Sequence, residues 1–285
     1  MRVQALSALM GAEVSGVDLS APLTPSQCEA IEQAFLTYQL LVFREQRLDK
    51  PQQIAFTEQF GTLERHASIN RGTNDFPLLH VVTNRDNEGR ATPVKSTMWH
   101  TDKSFRAAPS KATLLHAVTL PPNGGDTCFA NMCAAYAGLT QARKAEIDAL
   151  RVVHSWQHSR ENEGLSLNQA DIDGAPPMSH PLVRIHPDSG RPALFLGMHA
   201  AYIDGLDFAQ GRALILELES HATRPEYVFY HSWRPGDLLM WDNRCLLHRA
   251  DPNFDSARHP RTLHRTCLRG TPTPGQRIAA EPQIA

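Results

Sequence analysis

"EYVFYHSWRPGDLLMWDNRCLLHRADPNFDSARHPRTLHRTCL", residues 226–268, decides the fold. Three runs, 226–233, 237–243 and 260–270, the last ending two residues past this stretch, are rich in aromatic, β-branched and other apolar residues. Turn residues at "RPGD" and "DNR" break the first two off, so the spacing predicts short strands rather than helices. The same signature recurs upstream in "AEVSGVDLS" (12–20), "LLVFRE" (40–45), "LLHVVTN" (78–84), "KATLLHAVTLP" (111–121) and "TCFANM" (127–132). "PLVRIHPDSGRPALFLG" (181–197) reads as a hairpin around "PDSGR". Four stretches carry a helical pattern instead. They are 26–39, with Thr24 as N-cap and Pro25 behind it; 50–61, ending on Gly61; 139–155, capped by Thr140; and 208–223. On the first, Cys28, Ile31, Phe35 and Tyr38 share one stripe. The balance is mainly β with flanking helices, a sandwich or barrel core with helices packed outside. Residues 157–180 read as an active-site loop or lid, and 271–285 as a loose C-terminal tail.

The 285 residues suit a single domain, 1–285, with a core that needs no staples. A formal net charge of −2 excludes the basic footprint of a nucleic-acid binder. No apolar run approaches the ~18 residues of a membrane span, and the N-terminus has no signal-peptide h-region. The five cysteines, Cys28, Cys128, Cys133, Cys245 and Cys267, are scattered and odd in number, which fits neither a disulfide framework nor a cysteine zinc site. A cytoplasmic location is the expectation.

Fourteen histidines make metal ligation the first question. In "STMWHTDKSF" (96–105), His100 and Asp102 are two apart, so an extended backbone puts both on one face, where they can grip one ion. Such a pair needs a third ligand. His248 is the candidate, at the end of an apolar run after what reads as a β-hairpin; His199, His221, His231, His259 and His264 are its rivals. Two histidines and one carboxylate define the facial triad of non-haem Fe(II) oxygenases. The helical H-E-x-x-H of a zinc hydrolase is absent. Along "RTLHRTCL" (261–268), Arg261 and Arg265 alternate onto one face and His264 onto the other. Two cations facing one apolar site would repel unless each met an anion, and the planar guanidinium suits carboxylates. The strand therefore hints at a pocket for two anionic groups; the alternative is an edge strand with both arginines solvated.

"WHTDKSF", "GGDTCFANM", "WDNRCLLHRA" and "RTLHRTCL", in this order, resemble the taurine/2,4-dichlorophenoxyacetate dioxygenases. "QQIAF" and "FGTLE" are similar to the family too, and the second half is most similar to its aryloxyalkanoate-degrading branch. The resemblance implies a double-stranded β-helix, a distorted jelly roll. It implies Fe(II) held by His100, Asp102 and His248, with 2-oxoglutarate and O2 as cosubstrates. It gives Thr127 and Arg261 to the distal carboxylate of 2-oxoglutarate, and Arg265 to a small anionic substrate. His66 and His199 fall where substrate contacts are expected, though either can be structural. Trp99 and Phe105 can wall the iron or sit in the core. The implied reaction hydroxylates a C–H bond, with an aryloxyalkanoate-like carboxylate favoured. A sulfonate or alkyl sulfate substrate, desaturation, and a non-enzymatic anion-binding protein are the alternatives. Asp102 argues against halogenation, which needs a small residue there. A homo-oligomer, dimer or higher, is a family-level expectation. Two departures stand out. Arg261 lies thirteen residues after His248, a longer gap than usual, which leaves Arg258 as a rival for its role. Residues 64–98 match the family poorly.

Overall fold

The apolar runs form strands in the computed structural model, which describes residues 1–65, 76–272 and 276–277. The first third holds β1 (Arg2–Ala5), β2 (Ala12–Ser15), α1 (Pro25–Tyr38), β3 (Leu40–Phe43), α2 (Lys50–Glu58) and β4 (His80–Thr83). The middle holds β5 (Ala112–Thr119), β6 (Thr127–Asn131), α3 (Met132–Ala137), α4 (Gln141–Ile147), β7 (Arg151–His154), α5 (Trp156–Asn162) and α6 (Gln169–Gly174). There follow β8 (Met178–Pro181), β9 (Val183–Ile185), β10 (Pro192–Leu194), β11 (Ala200–Ile203) and α7 (Phe208–Ala222). The last are β12 (Val228–His231), β13 (Leu238–Asp242), β14 (Leu246–Ala250), β15 (Thr262–Leu268) and β16 (Gln276–Arg277).

A seven-stranded sheet runs β1-β2-β3-β13-β5-β15-β4, with only β2 and β3 parallel among its pairs. A three-stranded sheet, β12-β6-β14, a four-stranded sheet, β11-β7-β8-β16, and the β9–β10 hairpin complete the pairing. Alternation along the strands explains why the central ones are apolar throughout. Leu41, Phe43, Leu114, Leu238 and Met240 face α1 and α2, packing with Ile31, Phe35 and Phe56. Leu40, Val42, Leu115, Leu239 and Trp241 face the other way, onto Phe129, Leu246 and Leu247 of the three-stranded sheet. Both faces of the large sheet are thus buried, and the site lies between the sheets.

Both N-terminal helices start as their caps dictate. Thr24 and Asp49 each close a capping box, with Gln27 and Gln52 respectively. The α1 stripe is as expected: Ile31 and Phe35 are buried, while Cys28 and Tyr38 pack at its margin. All five cysteines are free thiols. No helix among the described residues is long and apolar enough to cross a membrane.

Several sequence expectations need correction. The helix expected over 139–155 stops at Ile147, and Arg151–His154 is strand β7. The adjacent β-branched pair Val152 and Val153, both buried, favours a strand there. Gly61 does not cap α2, whose C-cap is Gln59. The stretch 157–180 is more regular than a loop, holding most of α5, all of α6 and the start of β8. In the tail, Gln276 and Arg277 pair with Ser179 and Met178. Most consequentially, His248 does not follow a hairpin. It lies on a strand, β14, and β13 and β14 belong to different sheets, so "DNR" carries the chain across the core.

Leu239 is fully buried on β13, between β3 and β5. Leu239→Ala is expected to cost ~2–5 kcal/mol in chemical denaturation, through lost transfer energy plus a cavity. A loss below ~1 kcal/mol would place the core elsewhere.

Candidate active site

His100 and His248 meet through their backbones before their side chains matter. The His100 N–H donates to the His248 carbonyl at 3.0 Å, and the His248 N–H to the His100 carbonyl at 2.7 Å. This antiparallel bridge sets the two rings 4.1 Å apart. The extended backbone also brings Asp102 to the same side, its Oδ2 3.9 Å from His248 Nε2. One ligand atom from each of the three lies within 4.8 Å of the others, and all three residues are buried.

The donor set fits a divalent metal. His100 Nδ1 is 2.8 Å from the Met98 carbonyl, so it must donate there, leaving the Nε2 lone pair free to ligate. Burial lowers the pKa of both imidazoles, His248 the more strongly, and keeps them neutral. Burial pushes Asp102 the other way, but the Arg265 guanidinium and, after it, the Thr113 hydroxyl outweigh it and hold the carboxyl well below the usual range. A carboxylate with two neutral imidazoles is the ligand combination of a non-haem iron site. A second trio, His186, Asp242 and Cys245, is also close-set. There the lone pairs are taken: Asp242 accepts from His186 Nε2 at 3.0 Å and from Arg244 at 2.7 and 2.8 Å, while His186 Nδ1 accepts two backbone N–H groups.

A chain of polar side chains fixes Asp102. The Thr113 hydroxyl donates to Oδ2 at 2.5 Å, Asn243 Nδ2 donates to that hydroxyl at 2.9 Å, and Trp241 Nε1 donates to Asn243 Oδ1 at 3.1 Å. Thr113 stands opposite both Trp241 and Cys267 in the large sheet, so strand register aims it at the site. Arg265 Nη1 approaches Asp102 Oδ1 at 3.4 Å, and its Nε has no partner among the described residues.

Arg261 and Arg265 share the face that alternation assigned them. Both line a cavity of about 200 Å³ together with His100, His248 and Thr127. Arg261 is 5% exposed. Its Nε donates to the Gly125 carbonyl at 2.7 Å and its Nη2 to Thr127 Oγ1 at 3.2 Å. Neither acceptor is charged, and burial pulls the guanidinium down to about 10 against the opposing pull of Asp126. A buried cation with neutral partners is costly until an anion joins it. Thr127 Oγ1 also accepts from Trp233 Nε1 at 3.0 Å. Two accepted bonds fill both lone pairs, so the hydroxyl hydrogen is what remains to donate. Gly125 is required at φ +72°, where an added Cβ would press to 3.1 Å on Arg261 Cδ.

The rivals separate cleanly. Arg258 is surface-exposed and, among the described residues, pairs only with Asp255. His221 contacts the Ala135 carbonyl, His231 packs on Trp233, His259 sits in the loop after β14, and His264 faces away from the arginines. His199 is buried, bonded to Ser159 through Nδ1 and edge-on to Phe105 at 4.8 Å, close to the metal face without joining it. His66 lies outside the described residues. Trp99 packs against the core under Arg249, so it is not a wall of this cavity. Sequence reasoning missed Thr113, Asn243, Trp233 and Asn84. Thr113 alone had a signal, since it alternates with Leu115, a cavity residue.

The model of the taurine catabolism dioxygenase TauD, TfdA family matches residues 2–267. The chain belongs to the TauD/TfdA family. Within that family it is 37% identical to an alpha-ketoglutarate-dependent 2,4-dichlorophenoxyacetate dioxygenase of Burkholderia sp. (strain RASC), across 98% of this chain and 96% of the relative. It is 38% identical to an (S)-phenoxypropionate/alpha-ketoglutarate-dioxygenase of Sphingobium herbicidovorans, across 87% and 88%. The crystal structure of AAD-2 in complex with Mn(II) and N-oxalylglycine superposes with a TM-score of 0.86 at 36% identity, covering 95% of this chain and all of that one.

As a TauD/TfdA protein with this polar chain behind Asp102, the molecule makes a definite prediction. Thr113→Val is expected to weaken Mn(II) binding by roughly 10- to 100-fold in a calorimetric titration, whereas Thr113→Ser retains it. Equal affinities for all three proteins would show that the hydroxyl does not orient the carboxylate.

Proposed function

We propose that this chain is an Fe(II)- and 2-oxoglutarate-dependent dioxygenase that hydroxylates a C–H bond of a small anionic substrate, an aryloxyalkanoate-like carboxylate being favoured. The observation that carries the reading is one cavity bearing His100, His248, Thr127, Arg261 and Arg265, with Asp102 completing the metal face behind it. The family relatives named above support the same reaction class. The seven- and three-stranded sheets, joined by the β13–β14 crossover, are read as the two walls of a double-stranded β-helix.

His100, Asp102 and His248 would hold the iron. Bound there, iron supplies the O2 activation that couples conversion of 2-oxoglutarate to succinate and CO2 with oxidation of the substrate C–H. The protein's part is placement. 2-Oxoglutarate is a dicarboxylate, and the end remote from the metal needs a cation and a donor. Arg261 and the Thr127 hydroxyl are adjacent, buried and aimed into the cavity, which suits that carboxylate. Arg265, two strand repeats further along and beside Asp102, would take the carboxylate of the substrate. Both anions then neutralise cations that the fold already holds in place, Arg261 buried and Arg265 half-buried, so binding is favoured without reorganisation.

The aryl preference rests on the relatives named above, a 2,4-dichlorophenoxyacetate and an (S)-phenoxypropionate dioxygenase. Phe105 contacts His199 at 4.8 Å and Trp156 at 6.4 Å between centroids, a ring cluster outside the lining of this cavity. The Met198 N–H bond to the Trp99 carbonyl, 2.8 Å, ties that cluster to the segment carrying His100.

The role split is testable with three substitutions. Loss of one charge-assisted bond costs about 1.5–3 kcal/mol, or roughly 10- to 100-fold in affinity. Arg261→Ala is expected to weaken 2-oxoglutarate binding by that factor, and Arg265→Ala to raise KM for a phenoxyacetate while sparing 2-oxoglutarate. His100→Ala should abolish iron-dependent succinate formation. Equal loss of 2-oxoglutarate affinity in both arginine variants would sink the split, and wild-type succinate formation in His100→Ala would sink the metal site.

A further inference from the structure

Arg261 has to sit at one place, yet it lies one residue before β15, and only one side of that strand reaches it in register. The pairing of β15 with β5 slips between Thr262 and Leu263, whereas its pairing with β4 runs unbroken from Arg265 to Thr262 opposite Thr83. The approach is a long loop, residues 251–260, in the extended gap between His248 and Arg261. Added loop length costs little in closure entropy, but it leaves the entry to the strand unspecified. A one-residue slip would turn Arg261 to the opposite face.

Asn84, just past β4, carries that pairing on to Arg261. It is 3% exposed and lines the cavity. Its Oδ1 accepts the backbone N–H of Arg261 at 2.7 Å. Its Nδ2 donates to the carbonyls of Ser256 at 3.0 Å and His259 at 3.1 Å. Its backbone N–H donates to the Arg261 carbonyl at 3.3 Å. One buried amide therefore uses its acceptor on Arg261 and both donor hydrogens on the loop. Arg85 extends the grip. Its Nη1 donates to the Ser256 carbonyl at 2.7 Å and the Asn84 carbonyl at 3.0 Å, and its Nη2 to the Ala257 carbonyl at 3.3 Å. At the other end of the loop, Asn253 Oδ1 accepts the Gly125 N–H at 2.7 Å and its Nδ2 donates to Asp126 at 2.9 Å. Gly125 is the residue whose carbonyl receives Arg261 Nε.

We infer that Asn84, backed by Arg85, is a positioning residue that sets Arg261 for the far carboxylate of 2-oxoglutarate. The inference rests on the role of Arg261 proposed above. Asn84 has both Nδ2 hydrogens committed to the loop and none left for the cosubstrate, so its effect passes through the placement of a neighbour.

The test compares Asn84→Ala, Arg85→Met and Arg261→Lys with the parent protein, all loaded with Mn(II), by calorimetric titration with 2-oxoglutarate. Steady-state kinetics of the Fe(II)-loaded proteins run alongside. Asn84→Ala is expected to weaken 2-oxoglutarate binding roughly 10-fold, with Arg85→Met showing a smaller loss in the same direction. Mn(II) affinity should hold, and KM for 2-oxoglutarate should rise far more than kcat falls. If Asn84→Ala does not fold, Arg85→Met decides by itself. Wild-type affinity for 2-oxoglutarate in the Asn84 and Arg85 variants, alongside weakened binding in Arg261→Lys, would overturn the positioning role. A parallel drop in Mn(II) affinity would also overturn it, since it would mark general damage to the fold. Undiminished binding in Arg261→Lys would instead remove the anchor itself, and this inference with it.

Discussion

Two backbone hydrogen bonds, exchanged between His100 and His248, hold the candidate metal face together. They join segments almost 150 positions apart in sequence. Everything that places His248 beside His100 is therefore part of the site. β14 pairs with β6, so His248 is fixed opposite Phe129. β13 pairs with β3 and β5, so the crossover starts at a defined point. The "DNR" segment between them supplies Asn243, which also orients Asp102 through Thr113. The turn that crosses the core thus contributes to the site it creates.

Charge explains the rest. Buried Arg261 and half-buried Arg265 line a cavity with no carboxylate among its lining residues, and Asp102, beside Arg265, is committed to the metal face. The imidazoles are neutral, so they offset nothing. The imbalance is the signature of a pocket waiting for anions, and a dicarboxylate cosubstrate with an anionic substrate supplies them. Preorganised cations of this kind favour binding at the moment the ligands arrive, because the desolvation cost was met in folding.

Much of this was legible in the residues. Spacing placed His100 and Asp102 on one face, and alternation placed Arg261 and Arg265 together with His264 turned away. Cap chemistry marked the starts of α1 and α4. What sequence did not reveal has physical reasons. β7 was hidden because helical periodicity runs on through "EIDAL" into "RVVHS", and two adjacent valines are a short strand signal against a long helical one. β14 was mistaken for the sequel to a hairpin because a turn between two apolar runs looks the same whether the strands pair or part. Asn243 and Asn84 act through partners more than 100 positions away, and no local pattern reports such bonds. His66 falls in 66–75, outside the described residues.

The most direct measurement is the O2 dependence and stoichiometry of 2-oxoglutarate turnover by the Fe(II)-loaded protein with a phenoxyacetate present. The account predicts one succinate and one CO2 per 2-oxoglutarate consumed, matched by one hydroxylated substrate, with turnover ceasing under argon or on iron chelation. Substrate conversion that continues without O2, or without consuming 2-oxoglutarate, would contradict it.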